Sequence, residues 1–380
     1  MRKYGVVELK LHGGKAPPWL VSRMRKLAKP ILQIIISEYG TLELLKRLAD
    51  PLWFQALSYV LGYDWDSSGV TTVTAGVLRE VLSPDMGILM AGGKGKRSLK
   101  APEDIVKIGN KFDFSEKKVA ELVRASRLVA KVDNAVLQDD HQIYHHAFFI
   151  DKWGNWVAIQ QGMCVKLKTA RRYHWISKGL ESFVVDPHEI MGEIRMPFVI
   201  NMATKESLEA QKISVDLVKE GSLSFKKDYN NLLRIVRRNL SLDYFISNTL
   251  TPKNINIKPI HIKILPSKIN WDALNTAYEL QPKNYEELIE IRGLGPSTIR
   301  ALALVAELIY NAELSWRDPI RYTYAHGGKD GVPYPVNVKR MEKVAEFLMD
   351  IVEDLRLGRK EKTEILKRLS RLVPRISSTE

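Results

Sequence analysis

Strand-forming residues concentrate in the run Ile143-Tyr144-His145-His146-Ala147-Phe148-Phe149-Ile150. A turn follows, Asp151-Lys152-Trp153-Gly154-Asn155, and then a second strand-like run, Trp156-Val157-Ala158-Ile159-Gln160. Aromatic and β-branched side chains favour strands, and a short turn that contains glycine joins antiparallel neighbours. This stretch therefore predicts a β-hairpin near the middle of the chain.

Helical patterns flank the hairpin on both sides. Upstream, apolar residues recur at helical spacing over residues 17–82, and Ser115 can cap a helix that runs to about Asp133. Downstream, residues 204–246 and most of the chain from Trp271 onward have the same periodicity. We therefore expect an α+β protein that is predominantly α, with a small central antiparallel β element.

The domain organisation follows from changes in composition along the chain. Alternation of polar and apolar residues predicts a strand at residues 3–11, and a Pro-, Lys- and Ile-rich stretch predicts a linker. The predicted units are a mainly helical N-terminal region (1–135), a central α+β region (136–250), a linker or crossover (251–270) and a helical domain (271–380).

The composition is that of a folded, basic protein. Lys and Arg number 58 against 44 Asp and Glu, a formal net charge of +14, which favours a polyanionic partner. A charge-rich surface of the kind found in thermophilic proteins is the alternative explanation. The single cysteine, Cys164, excludes an internal disulfide, and we expect a cytoplasmic chain without a signal peptide or membrane span.

A glycine-rich turn between two helices is the main binding motif. Asn284 and Glu287 form a capping-box pattern that starts the first helix, and Gly293-Leu294-Gly295 precedes Pro296, which suits the first position of the second. Backbone amides at such a helix start can hold a DNA phosphate without reading sequence. The candidate contacts are Arg292, Gly293, Leu294, Gly295, Ser297, Thr298 and Arg300.

Residues 284–310 resemble the helix-hairpin-helix of DNA-repair proteins, including glycosylases of the endonuclease III class. Ser297 stands where bifunctional members have a lysine, so the resemblance does not extend to a lyase mechanism. Asp318 matches the position of the catalytic aspartate of those enzymes poorly, and that role is not transferred. A Gly-x-Gly turn that serves only helix packing is the alternative.

Gly-Gly-Lys occurs three times, at residues 13–15, 92–94 and 327–329. Paired glycines let amides approach an anion and lysine adds charge, although an exposed turn that merely keeps the surface polar is an alternative for each loop. A further segment, residues 169–175, interleaves cations with aromatic residues, a combination that suits phosphate pairing and base stacking; a half-buried strand or helix start is the alternative. The additional candidate DNA contacts are Lys15, Gly92, Gly93, Lys94, Lys96, Arg97, Arg171, Arg172 and Lys329.

Side chains that could take part in catalysis or bind a metal ion are most concentrated around the predicted hairpin. Carboxylates and imidazoles there could bind Mg²⁺ or Mn²⁺, as nucleases do, or could act as general acid and base. On a strand, His145 and His146 face opposite sides, so at most one of them can join a given site. In the alternative, the aspartates cap a turn and the histidines stack on Trp153 or Trp156. The candidate catalytic residues are Asp139, Asp140, His141, His145, His146 and Gln161.

Four phrases look like those of domain-of-unknown-function family 763, a resemblance that covers nearly the whole chain and implies no particular chemistry. They are residues 11–17, 144–148, 159–163 and 325–331. The residues themselves favour a DNA-processing enzyme, a nuclease or repair enzyme that grips the DNA backbone non-specifically. A non-catalytic DNA-binding protein and a monofunctional DNA glycosylase are the alternatives, and RNA as partner and the oligomeric state stay open.

Overall fold

The computed structural model describes residues 16–63, 68–192, 194–238, 259–320, 322–323, 346–348, 350–355 and 358–369. The strand expected at residues 3–11 and the Gly-Gly-Lys loops at 13–15 and 327–329, with Lys15 and Lys329, lie outside the described residues. None of the described helices is both long and apolar enough to cross a membrane.

Helices make up most of the described chain, as the sequence periodicity predicts. The side chain of Ser115 caps the helix after it by accepting from the N–H of Lys118, which confirms the expected start. That helix continues into a π-helical turn at Val132–Val136. The helices are α1 Pro18–Tyr39, α2 Thr41–Ala49, α3 Pro51–Val60, α4 Gly69–Val81, α5 Ala101–Lys111, α6 Glu116–Lys131, α7 Leu208–Lys219, α8 Ser222–Arg238, α9 Pro259–Ile264, α10 Trp271–Leu280, α11 Tyr285–Glu290, α12 Pro296–Leu308 and α13 Arg359–Leu369.

Within the described residues, one sheet of six strands forms the centre of the fold, in the order β1-β3-β4-β5-β6-β8, and β2 and β7 form a separate pair. All neighbours in the larger sheet are antiparallel except β6 and β8. The strands are β1 Ile88–Lys94, β2 Leu137–Gln138, β3 Gln142–Asp151, β4 Trp156–Cys164, β5 Thr169–Ile176, β6 Glu189–Gly192, β7 Ile200–Asn201 and β8 Tyr322–Thr323.

The predicted β-hairpin is confirmed as β3 and β4, and the fold is mixed α+β with a small, mainly antiparallel sheet. One expectation for the sheet is corrected. Residues 92–94 were expected in a loop, but they form the end of β1 and pair with residues 145–147 of β3. The paired glycines conceal this strand in the sequence because glycine is depleted in strands.

Both faces of the sheet are buried because its side chains alternate between two hydrophobic clusters. Phe149 and Val157 face a cluster built mainly by α1 to α4, whereas Phe148 and Trp156 face a second cluster that includes α5 to α8 and α10 to α12. Each such side chain contributes about 1.5–3 kcal/mol when fully buried. Polar side chains in these strands are therefore buried as well, and several of the predicted site residues are among them.

Arg171 of β5 is the centre of a buried ion cluster. Its Nη1 donates to Oδ2 of Asp139 at 2.8 Å and to Oδ1 of Asp318 at 3.1 Å, and its Nη2 donates to Oδ2 of Asp318 and to the carbonyl oxygen of Ile194. The side chain is 1% exposed. Burial alone would lower the pKa of Arg171, but the two carboxylates raise it above its ordinary value. The cluster joins β5 to the loop before β3 and to residues 315–320.

Replacing Arg171 with methionine should reduce the free energy of unfolding by about 3–5 kcal/mol, because the change leaves two carboxylates buried without their counter-charge. Chemical denaturation monitored by circular dichroism measures this loss. Arg124→Met is the matched control, since Arg124 pairs with Glu290 at the surface, and it should cost less than about 1 kcal/mol. A similar, small loss for both variants would contradict the account.

Candidate nucleic-acid interface

The turn between α11 and α12 has the local geometry that its sequence predicts. Oδ1 of Asn284 accepts from the N–H of Glu287 at 2.9 Å and caps α11, while Oε2 of Glu287 accepts from the N–H of Lys283 at 2.7 Å. Gly293 adopts a φ of +92°, which side chains disfavour, and Pro296 is the first residue of α12.

Contacts on the inner side fix this turn. Ile291, Leu294 and Ile299 are buried on this side of the turn. Nδ2 of Asn270 donates to the carbonyl oxygen of Gly293 at 3.1 Å, and the N–H of Asn270 donates to Oγ1 of Thr298 at 3.0 Å. The side chains of Leu294 and Thr298, both expected at the DNA interface, therefore belong to the packing that supports the turn.

The outer side of the turn is open to a ligand. Arg292, Gly293 and Ser297 are exposed. Within the described residues, the backbone N–H groups of Gly293 and Ser297 have no acceptor in the protein. Ser297 lies in the first turn of a 13-residue helix, where the helix dipole favours an anion. The amides and the Arg292 guanidinium are suited to one phosphate group.

Two side chains tie the start of α12 to the loop that leads into β3. Nε2 of Gln138 donates to the carbonyl oxygen of Pro296 at 2.9 Å, and Nε of Arg300 donates to Oε1 of Gln138 at 2.6 Å. Burial lowers the pKa of Arg300, while the charge of Asp140 opposes that shift. Arg300, expected to contact DNA, is thus engaged within the protein and positions the turn.

The end of β1 and the loop after it present four cations on a constrained backbone. Lys94, Lys96, Arg97 and Lys100 are exposed. Gly92 has a φ of +79°, and a Cβ there would lie 2.2 Å from the carbonyl oxygen of His146, so only glycine fits.

The two glycines at the end of β1 serve packing and not the interface. The N–H of Gly92 donates to Oδ2 of Asp104 at 3.1 Å, and both Gly92 and Gly93 are buried. The expectation that their amides contact phosphate is therefore corrected, whereas the expectation for Lys94, Lys96 and Arg97 agrees with their exposure.

A second basic turn, between β4 and β5, was missed in the sequence. Residues 165–168 are all exposed, and Lys166 and Lys168 add two cations, with Lys168 at a φ of +55°. The alternation of lysines with apolar residues between two strands was visible in the sequence. Only the strand register shows at which end of the sheet this turn lies.

The strand register brings these loops to one end of the sheet. Lys94 pairs with His145, which pairs with Gln161, and Gln142 pairs with Met163, so β1 and β4 end where β3 begins. Gln138 holds the start of α12 beside the loop that leads into β3. We call this surface the basic end: Lys94, Lys96, Arg97, Lys100, Lys166, Lys168 and Arg292.

Arg171 and Arg172, also expected to contact DNA, are buried instead. Arg171 is held in its ion cluster. Arg172 donates to Oε1 of Gln55 at 3.1 Å and to the carbonyl oxygen of Pro51 at 3.3 Å, and it lies 4.9 Å from the centre of the Phe54 ring. Because β5 has helices on both faces, its interleaved cations and aromatics are internal contacts.

The predicted catalytic aspartate Asp139 is also an internal anchor. Its Oδ2 accepts from Arg171 and, at 2.7 Å, from the hydroxyl of Tyr173, and its Oδ1 accepts from the N–H of His141 at 3.0 Å. Burial would raise the pKa of Asp139, but Arg171, His141 and Tyr173 together lower it to about 2. The carboxylate is ionised and fully paired, which suits a structural role.

His145 and His146 face opposite sides of β3, as expected from strand geometry, and both are buried. Nδ1 of His146 donates to Oε1 of Gln160 at 2.7 Å, and its Nε2 lies 2.8 Å from Oγ of Ser126. Burial lowers the pKa of His146 to about 4 and of His145 to about 3. In the described part of the chain, neither ring nitrogen of His145 has a hydrogen-bond partner.

The remaining catalytic candidates do not form a site together. Oδ1 of Asp139 lies beside Nδ1 of His141, and Nε2 of that ring lies 3.1 Å from Oγ1 of Thr169, while Gln161 donates to the carbonyl oxygen of Ser68 at 2.8 Å. Only Asp140, with a φ of +63°, is exposed among the six. The cluster expected to perform chemistry is thus mostly part of the protein interior.

A buried polar network that includes Asp133 was missed in the sequence. Asp133 accepts from Gln160 and, at 2.8 Å, from Nε1 of Trp175, and its Oδ1 lies 2.9 Å from Nε2 of His188. Burial raises the pKa of Asp133. No group of three His, Cys, Asp or Glu side chains suited to a metal ion occurs in the described ranges, so the Mg²⁺ or Mn²⁺ hypothesis has no ligand set there.

Comparison with known proteins places the chain in a family. The model of the family described as "Protein of unknown function (DUF763)" matches residues 5–336. The chain belongs to this family. No curated protein and no solved structure matches it. The DUF763 match includes every element of the basic end but names no activity.

Gly293→Ala should lower the free energy of unfolding by about 1–2 kcal/mol, because alanine is strained at a φ of +92°. Its Cβ would also lie 3.0 Å from Nδ2 of Asn270. Gly295→Ala is the matched control two residues away, where φ is −85° and no heavy atom lies within 4 Å of the added Cβ. Urea denaturation of both variants tests the turn geometry, and equal losses would contradict it.

Proposed function

We propose that this DUF763 protein binds DNA through the phosphate backbone at its basic end. The observation that carries the proposal is the convergence of the α11–α12 turn with two lysine-rich loops at one end of the sheet. Each loop comes from a different part of the chain. Their common location gives the positive charge a defined surface for a polyanion.

The chemistry of the basic end suits phosphate contacts that do not read sequence. Amides of Gly293 and Ser297 with Arg292 match a single phosphate at a helix start, as in a helix-hairpin-helix. The lysines on the other two loops supply further positive charge for contacts along the DNA backbone. Most of the affinity would then come from counterion release and would fall steeply with salt.

Binding without catalysis is favoured over the nuclease hypothesis. That hypothesis depended on six residues, and five of them are buried in the interior. The glycosylase alternative is also disfavoured, because Asp318, the one carboxylate considered for that role, is buried against Arg171. The proposal is therefore a non-catalytic DNA-binding protein.

Two double charge reversals with the same change in net charge test the proposal. Lys166→Glu/Lys168→Glu alters the basic end. Lys152→Glu/Lys178→Glu alters two exposed lysines that follow β3 and β5, at the end of the sheet opposite the basic end. The first variant should lower the affinity for a 30-base-pair duplex by about tenfold at about 0.1 M salt and flatten the salt dependence by roughly 0.9 per lost contact. Fluorescence anisotropy across a salt series measures both.

The control variant should keep an affinity within about twofold of the wild-type value, since loss from net charge alone would affect both variants equally. Arg292→Glu should behave like the basic-end variant. Equal weakening by the two double variants, or no binding by the wild-type protein, would contradict the proposal. A parallel titration with duplex RNA of the same length shows which nucleic acid is preferred.

A further inference from the structure

Exposed aliphatic side chains stand among the cations of the basic end. Leu99 is 81% exposed and lies between Arg97 and Lys100 in the loop after β1. Val165 and Leu167, 75% and 45% exposed, flank Lys166 in the turn between β4 and β5. Two separate loops at one end of the sheet thus repeat the same combination of an apolar tip and adjacent positive charge.

The backbone of the first loop holds Leu99 outward. Gly95–Lys100 is a short 3-10 helix in which Oγ of Ser98 donates to the carbonyl oxygen of Gly95 at 2.6 Å. The N–H of Ala101 donates to the carbonyl oxygen of Ser98, and Arg97 pairs with Asp104. The loop is therefore ordered by its own contacts, and it does not fold Leu99 back onto the protein.

A partner that covers these tips must combine negative charge with apolar faces. Nucleic acid does so, since phosphates lie beside bases whose flat faces accept apolar side chains. In an intact duplex those faces are covered by stacking. They become accessible where stacking is interrupted, and aliphatic wedges are used at such steps by proteins that kink DNA.

We propose that the basic end recognises DNA with interrupted base stacking, such as a bulge or a gap, and that Leu99 and Leu167 contact the exposed base faces. This inference rests on the proposed function and names its substrate class. The phosphate contacts of Arg292 and the lysines supply affinity for any DNA. The apolar tips add affinity only where a base face is free.

The test compares an intact 30-base-pair duplex with the same duplex carrying a three-nucleotide bulge, by fluorescence anisotropy at constant salt. The wild-type protein should bind the bulged duplex about five- to tenfold more tightly, a factor that corresponds to partial burial of two leucine side chains. In Leu99→Ala/Leu167→Ala, the ratio of the two Kd values should approach one. Leu99→Phe should keep the preference, because a larger apolar side chain still covers a base.

Leu223→Ala is the control, since Leu223 is 83% exposed on α8, whose Asp228 accepts from the hydroxyl of Tyr310 just beyond the C-terminal end of α12, and this variant should keep the wild-type ratio. Wild-type binding of both duplexes with equal affinity would overturn this inference and leave the proposed function intact. Absence of binding to either duplex would overturn both. Leucine-dependent sedimentation with phosphatidylserine vesicles, without any preference for the bulge, would overturn the inference in favour of a lipid surface.

Discussion

The guanidinium of Arg171 is buried between the carboxylates of Asp139 and Asp318, and much of the architecture around the basic end depends on this contact. A buried charge is costly unless it is paired and fully hydrogen-bonded, so the three side chains must remain together. Arg171 thereby fixes the loop that runs from β2 to β3. Gln138, the last residue of β2 before that loop, in turn holds the first residue of α12.

Local features of the fold could be predicted from the sequence, and long-range burial could not. The β3–β4 hairpin and the cap at Ser115 depend on neighbouring residues, so pattern and propensity suffice for them. His146 and Arg172 look equally suited to an active site or an interior, and the choice depends on helices on both faces of the sheet. β1 was missed because Gly92 serves a close backbone contact that only the folded chain shows.

The candidate site was predictable in parts but not as a surface. The α11–α12 turn and the cations around Lys96 could be identified singly, because each has its own local pattern. Lys166 could be recognised as part of this surface only from the register of β3 and β4, which places its turn at the same end of the sheet. Conversely, the polar residues that looked best suited to catalysis proved to be buried and to make contacts within the protein. The proposed function therefore uses the basic end and not the interior of the sheet.

Hydrogen–deuterium exchange of the whole protein, with and without saturating duplex DNA at low salt, tests the central claim most directly. DNA contacts slow exchange where they cover the backbone or stabilise a loop. The account predicts protection of residues 94–100, 165–168 and 291–299, with no change in the β3–β4 turn at residues 151–155 at the opposite end. Protection of residues 151–155 without protection of those three loops, in a complex that forms, would contradict it.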